Sequence, residues 1–301
     1  MKKLVLILSV NLLILLILFL SFDIYCFVKD VRYNGRFYVF ENPLTAFKYY
    51  ARTYKRIFYT EKNYDIAFLN GVWGKYYRAP INLSSDKQPV LIMGCSFAFG
   101  NELTPEQSLM GKIAKYTSRP VYNRAMLALG ADEMLYQLRT DRFYSLVPKP
   151  EWFLYVFIPD QIRRTQIPCS VVDGGVYYDK NLKIRPNINF PSFYSLKRSK
   201  EYIHNKKYLT QTLNIIKEMK NVSQKHWGND TKYVFLFYNE DDNIYQQMKP
   251  VLEQAGFICY SLKDLTDIDL TQNEYTVSDN MHPSEKAWEI IVPELVRKTG
   301  M

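Results

Sequence analysis

From residue 88 to the C-terminus, short apolar runs alternate with longer stretches of helical periodicity, and this alternation restricts the fold more than any other feature of the chain. The apolar runs fall at residues 89–93, 121–122, 152–158, 233–238 and 257–262. Each is short and mostly apolar, and the first has the pattern of a strand buried on both faces. Gly94 ends the first, and Pro159 and Asp160 stop the third. Helical spacing marks residues 105–116, 131–146, 202–227, 244–255 and 283–296, with Pro105 near the start of the first and Gly256 closing the fourth. Strands that alternate with helices connect through right-handed crossovers into a parallel sheet covered on both sides. The expectation is an α/β fold, a three-layer α/β/α flavodoxin-like sandwich of about five parallel strands. Ligands of such sheets bind beyond the carboxyl ends of the strands, so motifs at strand ends carry the most weight.

A different pattern precedes this region. Leu4 to Phe22 is a 19-residue run whose polar members are Ser9, Asn11 and Ser21, with Lys2 and Lys3 before it. At ~1.5 Å per residue such a helix just spans a ~30 Å hydrocarbon core. The run is long for a signal peptide, and no small-x-small cleavage site follows. It is read as one uncleaved N-terminal transmembrane helix over residues 1–22, placing the remainder outside the cytoplasm. Residues 23–87 are aromatic and basic and are read as a stalk with a segment that packs on the main domain. Residues 88–301 form that domain, with an irregular insertion at about 165–200 marked by Gly174, Gly175 and several prolines. Aromatic residues within the insertion, Tyr177, Tyr178, Phe190, Phe193 and Tyr194, suit a hairpin or lid with faces for sugar rings.

Composition removes several functions. With 39 Lys+Arg against 30 Asp+Glu the net charge is +9, yet no nucleic-acid motif accompanies it, and no nucleic-acid partner is expected. Much of the basic excess lies next to the anchor, where it suits anionic lipid or an anionic wall polymer. Four Cys in 301 residues are no disulfide framework. With no Cys-x-x-Cys pair and three His in all, a Cys/His metal cluster lacks ligands, so no metal and no organic cofactor is implied.

The scarcity of histidine sharpens the search for chemistry. The first strand runs into Gly94-Cys95-Ser96-Phe97-Ala98-Phe99-Gly100. A serine between glycines at a strand–helix turn can expose its Oγ, and the helix N-terminus offers amides to a developing oxyanion. Near the C-terminus stands Asp279-Asn280-Met281-His282-Pro283-Ser284. Asp279 can reach the Nδ1 of His282, fix the tautomer and leave Nε2 to take a serine proton. Cys95 is read as a packed small residue: neighbouring side chains point to different sides, and one histidine serves one nucleophile.

Serine after the first strand and Asp-x-x-His-Pro before the last helix resemble the SGNH/GDSL hydrolase superfamily over roughly residues 88 to 300. The family's first block is Gly-Asp-Ser with a later glycine; here it reads Gly94-Cys95-Ser96 with Gly100, so Cys replaces Asp. The last block is met in full by Asp279, His282 and Pro283. The run from Gly94 through Thr104-Pro105 also resembles membrane-anchored bacterial members and related polysaccharide O-acetyltransferases. The resemblance implies Ser96 as nucleophile, His282 as general base and acid, and Asp279 as its orienter. It also implies an oxyanion hole from the Ser96 N–H and from the second and third blocks. In the second block Ala128 occupies the glycine place by spacing from Asn123, with Gly130 as a shifted alternative. The third block's Asn is absent: Pro159-Asp160-Gln161 stands there. An ionised Asp160 would repel an oxyanion, which leaves the Gln161 amide as the donor. Arg163 and Arg164 follow as candidates for an anionic substrate group.

The expected function is therefore ester hydrolysis or O-acyl transfer on an extracytoplasmic acylated glycan or lipid, through an acyl-enzyme on Ser96. The other reading is an SGNH-like domain, weak or inert as a catalyst, that binds envelope glycan or a partner protein.

Overall fold

The computed structural model describes residues 7–18, 66–69, 75–78, 80–126, 130–165, 177–185, 206–238 and 242–301, together with residues 3 and 21. Five strands form the central sheet: β1 (Val90–Gly94), β2 (Val121–Asn123), β3 (Trp152–Phe157), β4 (Lys232–Phe237) and β5 (Phe257–Ser261). Their order is β2-β1-β3-β4-β5, and every pairing is parallel. This is the flavodoxin-like order, and the chain reverses direction across the sheet between β1 and β3.

Eight helices accompany the sheet among the described residues: α1 (Ser96–Phe99), α2 (Leu109–Thr117), α3 (Ala131–Leu138), α4 (Asp141–Leu146), α5 (Asp160–Arg164), α6 (Lys206–Trp227), α7 (Asp242–Gln254) and α8 (Glu285–Thr299). The period-two geometry of the strands splits their side chains into two cores. Leu91, Met93, Phe153, Tyr155, Phe157, Tyr233, Phe235 and Phe237 pack with α3, α6 and α7. Val90, Ile92, Trp152, Leu154, Val156, Val234 and Leu236 pack with α1, α2 and α8. On the first face, rings of β3 and β4 meet across the ladder, Phe153 with Tyr233 and Phe157 with Phe235, each at 5.3 Å between centroids. Burying each such side chain contributes roughly 1.5–3 kcal/mol, which explains why strands covered on both sides are apolar at every position.

Two helices differ from the sequence expectation. Residues 131–146 are two helices rather than one. Thr140 has extended backbone, and its Oγ1 donates to the Gln137 carbonyl at 2.7 Å. A threonine bonded to its own preceding turn offers the backbone an alternative to continuing the helix. Helix α2 starts at Leu109, not near Pro105. Ahead of it, Thr104 N–H donates to Gln107 Oε1 at 3.1 Å and Gln107 N–H donates to Thr104 Oγ1 at 3.4 Å, closing a separate turn.

The segments outside the sheet are described in part. Most of the expected stalk lies outside the described residues, but a hairpin within it pairs Ile66–Leu69 with Lys75–Arg78, and Ile81 then bridges antiparallel to Val121 on β2. Of the expected insertion, a hairpin of Tyr177–Tyr178 with Ile184–Arg185 is described. Tyr178 packs in the α3/α6 core, beneath the Arg139 guanidinium at 4.9 Å. Phe190, Phe193 and Tyr194 lie outside the described residues. Among the described residues no helix is long and apolar enough to cross a membrane. The expected anchor is described at 7–18, which is helical, with Leu8, Leu12, Leu15 and Leu18 exposed rather than packed on the sheet.

Candidate active site

The site lies where β1 ends. Gly94 adopts φ +152°, and a Cβ there would come within 2.7 Å of the Val156 carbonyl oxygen and 2.8 Å of the Ala98 Cβ. Only glycine admits this approach of β1 to β3 and to the turn that follows. Cys95 is extended and fully buried in the α2/α8 core, with its thiol free. The chain then turns into α1, a single turn that opens on Ser96 and ends at Gly100 in the left-handed region, φ +82°. A Cβ on Gly100 would lie 2.6 Å from the Ser108 Cβ. Both glycines of the Gly94-to-Gly100 run are thus required by backbone geometry.

Three groups that the sequence pattern did not single out tie this turn to its surroundings. Arg78, 1% exposed, donates from Nε to the Phe99 carbonyl at 2.5 Å and from Nη2 to the Gly100 and Leu103 carbonyls at 2.6 and 2.7 Å. Its guanidinium also covers the Phe99 ring at 4.7 Å. Asn123, buried at the end of β2, donates from Nδ2 to the Ala98 carbonyl at 2.8 Å, and its Oδ1 accepts from Ala125 N–H at 3.0 Å. Glu102, at φ +64°, bonds across to the loop that carries His282. An Asn at the carboxyl end of a strand was a signal available in the sequence. Arg78 lies in a stretch rich in Tyr, Lys and Arg, where nothing distinguishes it.

The histidine loop, by contrast, is organised around its own carboxylate. Asp279 Oδ1 accepts the N–H groups of Met281 and His282, both at 2.9 Å, and its Oδ2 meets His282 Nδ1. Val277 N–H donates to the His282 carbonyl at 2.9 Å, and Thr276 bridges to Pro283. Ser284 then caps α8, accepting from Ala287 N–H. Burial opposes ionisation of Asp279, but the two backbone amides and the imidazole outweigh it and hold the carboxyl below its usual range.

The two loops meet at one contact. His282 Nε2 lies 2.6 Å from Ser96 Oγ. Ser96 is 7% exposed, and the Phe97 ring leans on the imidazole at 4.7 Å while touching Tyr238 at 5.4 Å. Ser96, His282 and Asp279, drawn from positions 186 residues apart, form one continuous hydrogen-bonded chain. The serine, the histidine and the carboxylate that the sequence singled out are thus brought together.

The residues expected to complete an oxyanion hole are placed differently. Gly130 N–H donates to Glu133 Oε2 at 2.9 Å, the carboxylate reaching back to the N-cap amide of α3, so it does not face an oxyanion. Gln161 is fully buried: its Oε1 accepts from Tyr155 O–H at 2.5 Å and its Nε2 donates to the Val156 carbonyl at 3.3 Å. The expected amide donor is therefore turned into the fold. Ala128 lies outside the described residues. Asp160 is not the bare anion that the sequence suggested. Arg163 donates to it from Nε and Nη2 at 2.6 and 2.8 Å, and Arg164 from Nε at 2.8 Å. Burial pushes its pKa up, yet Arg164 and Arg163 prevail and bring it down to about 2. Both arginines, expected to meet substrate, are themselves buried against this carboxylate. A cavity of about 440 Å³ lined by Lys180, Asn214, Lys217 and Asn221 shares no residue with the triad.

No family model matches the chain, and no curated protein matches it. Among solved structures it is similar to a lipase from a goat rumen metagenome, with 12% identity and TM-score 0.49 over 71% of this chain and 98% of that one. An acetyl xylan esterase from Butyrivibrio proteoclasticus gives 11% identity and TM-score 0.47, over 75% and 67%. A member of the lipolytic G-D-S-L family from Veillonella parvula gives 8% and 0.44, over 70% and 97%.

Proposed function

We propose that this protein is a serine-dependent esterase or O-acyltransferase whose acyl-enzyme forms on Ser96. The observation that carries the reading is the chain Ser96 Oγ to His282 Nε2 at 2.6 Å, and His282 Nδ1 to the Asp279 carboxylate. Ser96 Oγ attacks the ester carbonyl carbon while Nε2 takes its proton. The Asp279 carboxylate, ionised down to acidic pH, stabilises the imidazolium that results. The carbonyl oxygen becomes an oxyanion. Ser96 N–H, as the first amide of α1, has no intrahelical acceptor and supplies one donor. The imidazolium returns its proton to the departing alkoxide, leaving acyl-Ser96. Attack by water then completes hydrolysis, and attack by a sugar hydroxyl completes O-acyl transfer.

The substrate we propose is an acylated glycan or lipid outside the cytoplasm. Support comes from the apolar run at 4–22 as a single-pass anchor, with the basic residues that follow lying on anionic envelope polymer or lipid. One observation favours a second reading, a binding domain with little turnover. Among the described residues, two oxyanion-hole candidates, the Gln161 side chain and the amide of Gly130, the alternative to Ala128, are both occupied internally. Turnover of a short-chain aryl ester by the full-length chain, with and without a sugar acceptor, separates the two. The catalytic reading expects turnover that falls about 10⁶-fold in Ser96→Ala. Absence of any Ser96-dependent turnover in the folded protein supports the binding reading.

A further inference from the structure

The two loops of the triad differ in what holds them. The nucleophile turn is tied to β2 by Asn123 and to the hairpin by Arg78. The tip of the histidine loop, residues 277–282, bonds mostly to itself. Among the described residues, its hydrogen bonds to the rest of the protein are two in kind: the Ser96–His282 contact and a bridge from Ser278 to Glu102. Glu102 Oε2 accepts from Ser278 Oγ at 2.6 Å and from Ser278 N–H at 3.2 Å, joining residues 176 positions apart. Ser278 immediately precedes Asp279. Glu102 follows the nucleophile helix by two residues beyond its Gly100 cap, and Arg78 grips the carbonyls on both sides of it, at Gly100 and Leu103.

The backbone at Glu102 is in the left-handed region, φ +64°, which a side chain of this size adopts only where the surroundings enforce it. Asparagine or glycine would fill such a turn at less cost. The carboxylate at this position has a contact to account for it: the bridge that Ser278 makes.

We propose that Glu102 and Ser278 are a positioning pair that sets the distance between Ser96 and His282; this rests on the acyl-transfer reading above. Arg78 fixes the turn, the turn presents Glu102, and Glu102 holds the histidine loop by the residue before its carboxylate. Neither residue touches the reacting atoms. The pair acts through Asp279 and His282, and its loss lets the imidazole drift from Oγ.

The rate of fluorophosphonate labelling of the full-length chain tests this, measured for wild type, Glu102→Ala, Glu102→Gln and Ser278→Ala alongside thermal unfolding. Glutamine keeps an acceptor oxygen for both Ser278 donors, so Glu102→Gln labels near the wild-type rate. Glu102→Ala labels about 10–100-fold more slowly, the cost of an ångström-scale displacement. Ser278→Ala, which keeps the backbone donor, falls between, and thermal midpoints stay close to wild type because both residues are exposed. Equal labelling by wild type and Glu102→Ala overturns the proposal, as does Glu102→Gln as slow as Glu102→Ala, which would make charge and not position the cause. A wild-type protein that fails to label at all overturns instead the reading on which the pair rests.

Discussion

The two sides of the site are built from similar material with opposite results. On the β1 side, Arg78 and Asn123 direct buried polarity toward the turn that carries Ser96, and the chain from Ser96 through His282 to Asp279 closes. On the side of the β2 and β3 ends, Gly130, Gln161 and Asp160 direct theirs inward, to Glu133, Tyr155 and two arginines. The serine and histidine of the proposed mechanism are thus brought together, while two of the expected oxyanion-hole candidates among the described residues, Gly130 and Gln161, serve the fold. Assembly of the one does not require assembly of the other.

Breaking the β1 side has the largest effect. Arg78→Met leaves the Phe99, Gly100 and Leu103 carbonyls without their cationic donor. Hydrogen bonds to charged groups contribute about 1.5–3 kcal/mol each, so unfolding by denaturant should shift by roughly 3 kcal/mol or more. Labelling of Ser96 should fall with it, since the turn loses its clamp. Unchanged stability would mean that Gly94 and Asn123 suffice.

Gln161→Leu sharpens the comparison from the other side. If Gln161 serves the fold, the variant loses about 1–3 kcal/mol through the unpaired Tyr155 hydroxyl and Val156 carbonyl, with the labelling rate of the folded protein unchanged. If Gln161 turns outward to serve as the donor, the rate falls on the order of 10²–10³-fold.

Acid gives the smallest effect. The Asp160 carboxyl titrates at about 2 in the folded chain, below its usual value near 3.9. A depressed folded value stabilises the protein above the unfolded value and loses that stabilisation as pH falls through about 2. With its side chain 32% exposed, the loss between about pH 4 and 2 is on the order of 1–2 kcal/mol. Asp160→Asn should flatten that part of the stability–pH curve, measured by denaturant unfolding. An unaltered curve would mean that the arginines carry no net share.

What the sequence could reveal follows the same division. β1 and β3 were the most legible strands because every position in them is buried, which writes an unbroken apolar run, whereas β5 is buried only at alternate positions. The triad was legible because histidine is scarce and because Asp279 and His282 lie three residues apart, close enough for a local pattern. The break at Thr140 was not legible, since the apolar spacing continues across it and the competing bond is a hydroxyl to a carbonyl. Arg78 and Glu102 were hidden for a stronger reason: their partners are backbone carbonyls or a serine far along the chain, and neither leaves a periodic trace. Gln161 was misjudged because position after a strand does not fix side-chain direction, and the Tyr155 hydroxyl drew it inward.

The most direct measurement is the site of fluorophosphonate attachment on the full-length chain, read by intact mass and peptide mapping for wild type, Ser96→Ala and His282→Ala. The account predicts one adduct on Ser96 in wild type and none in either variant. An adduct elsewhere, or a folded wild type that takes none, would contradict it.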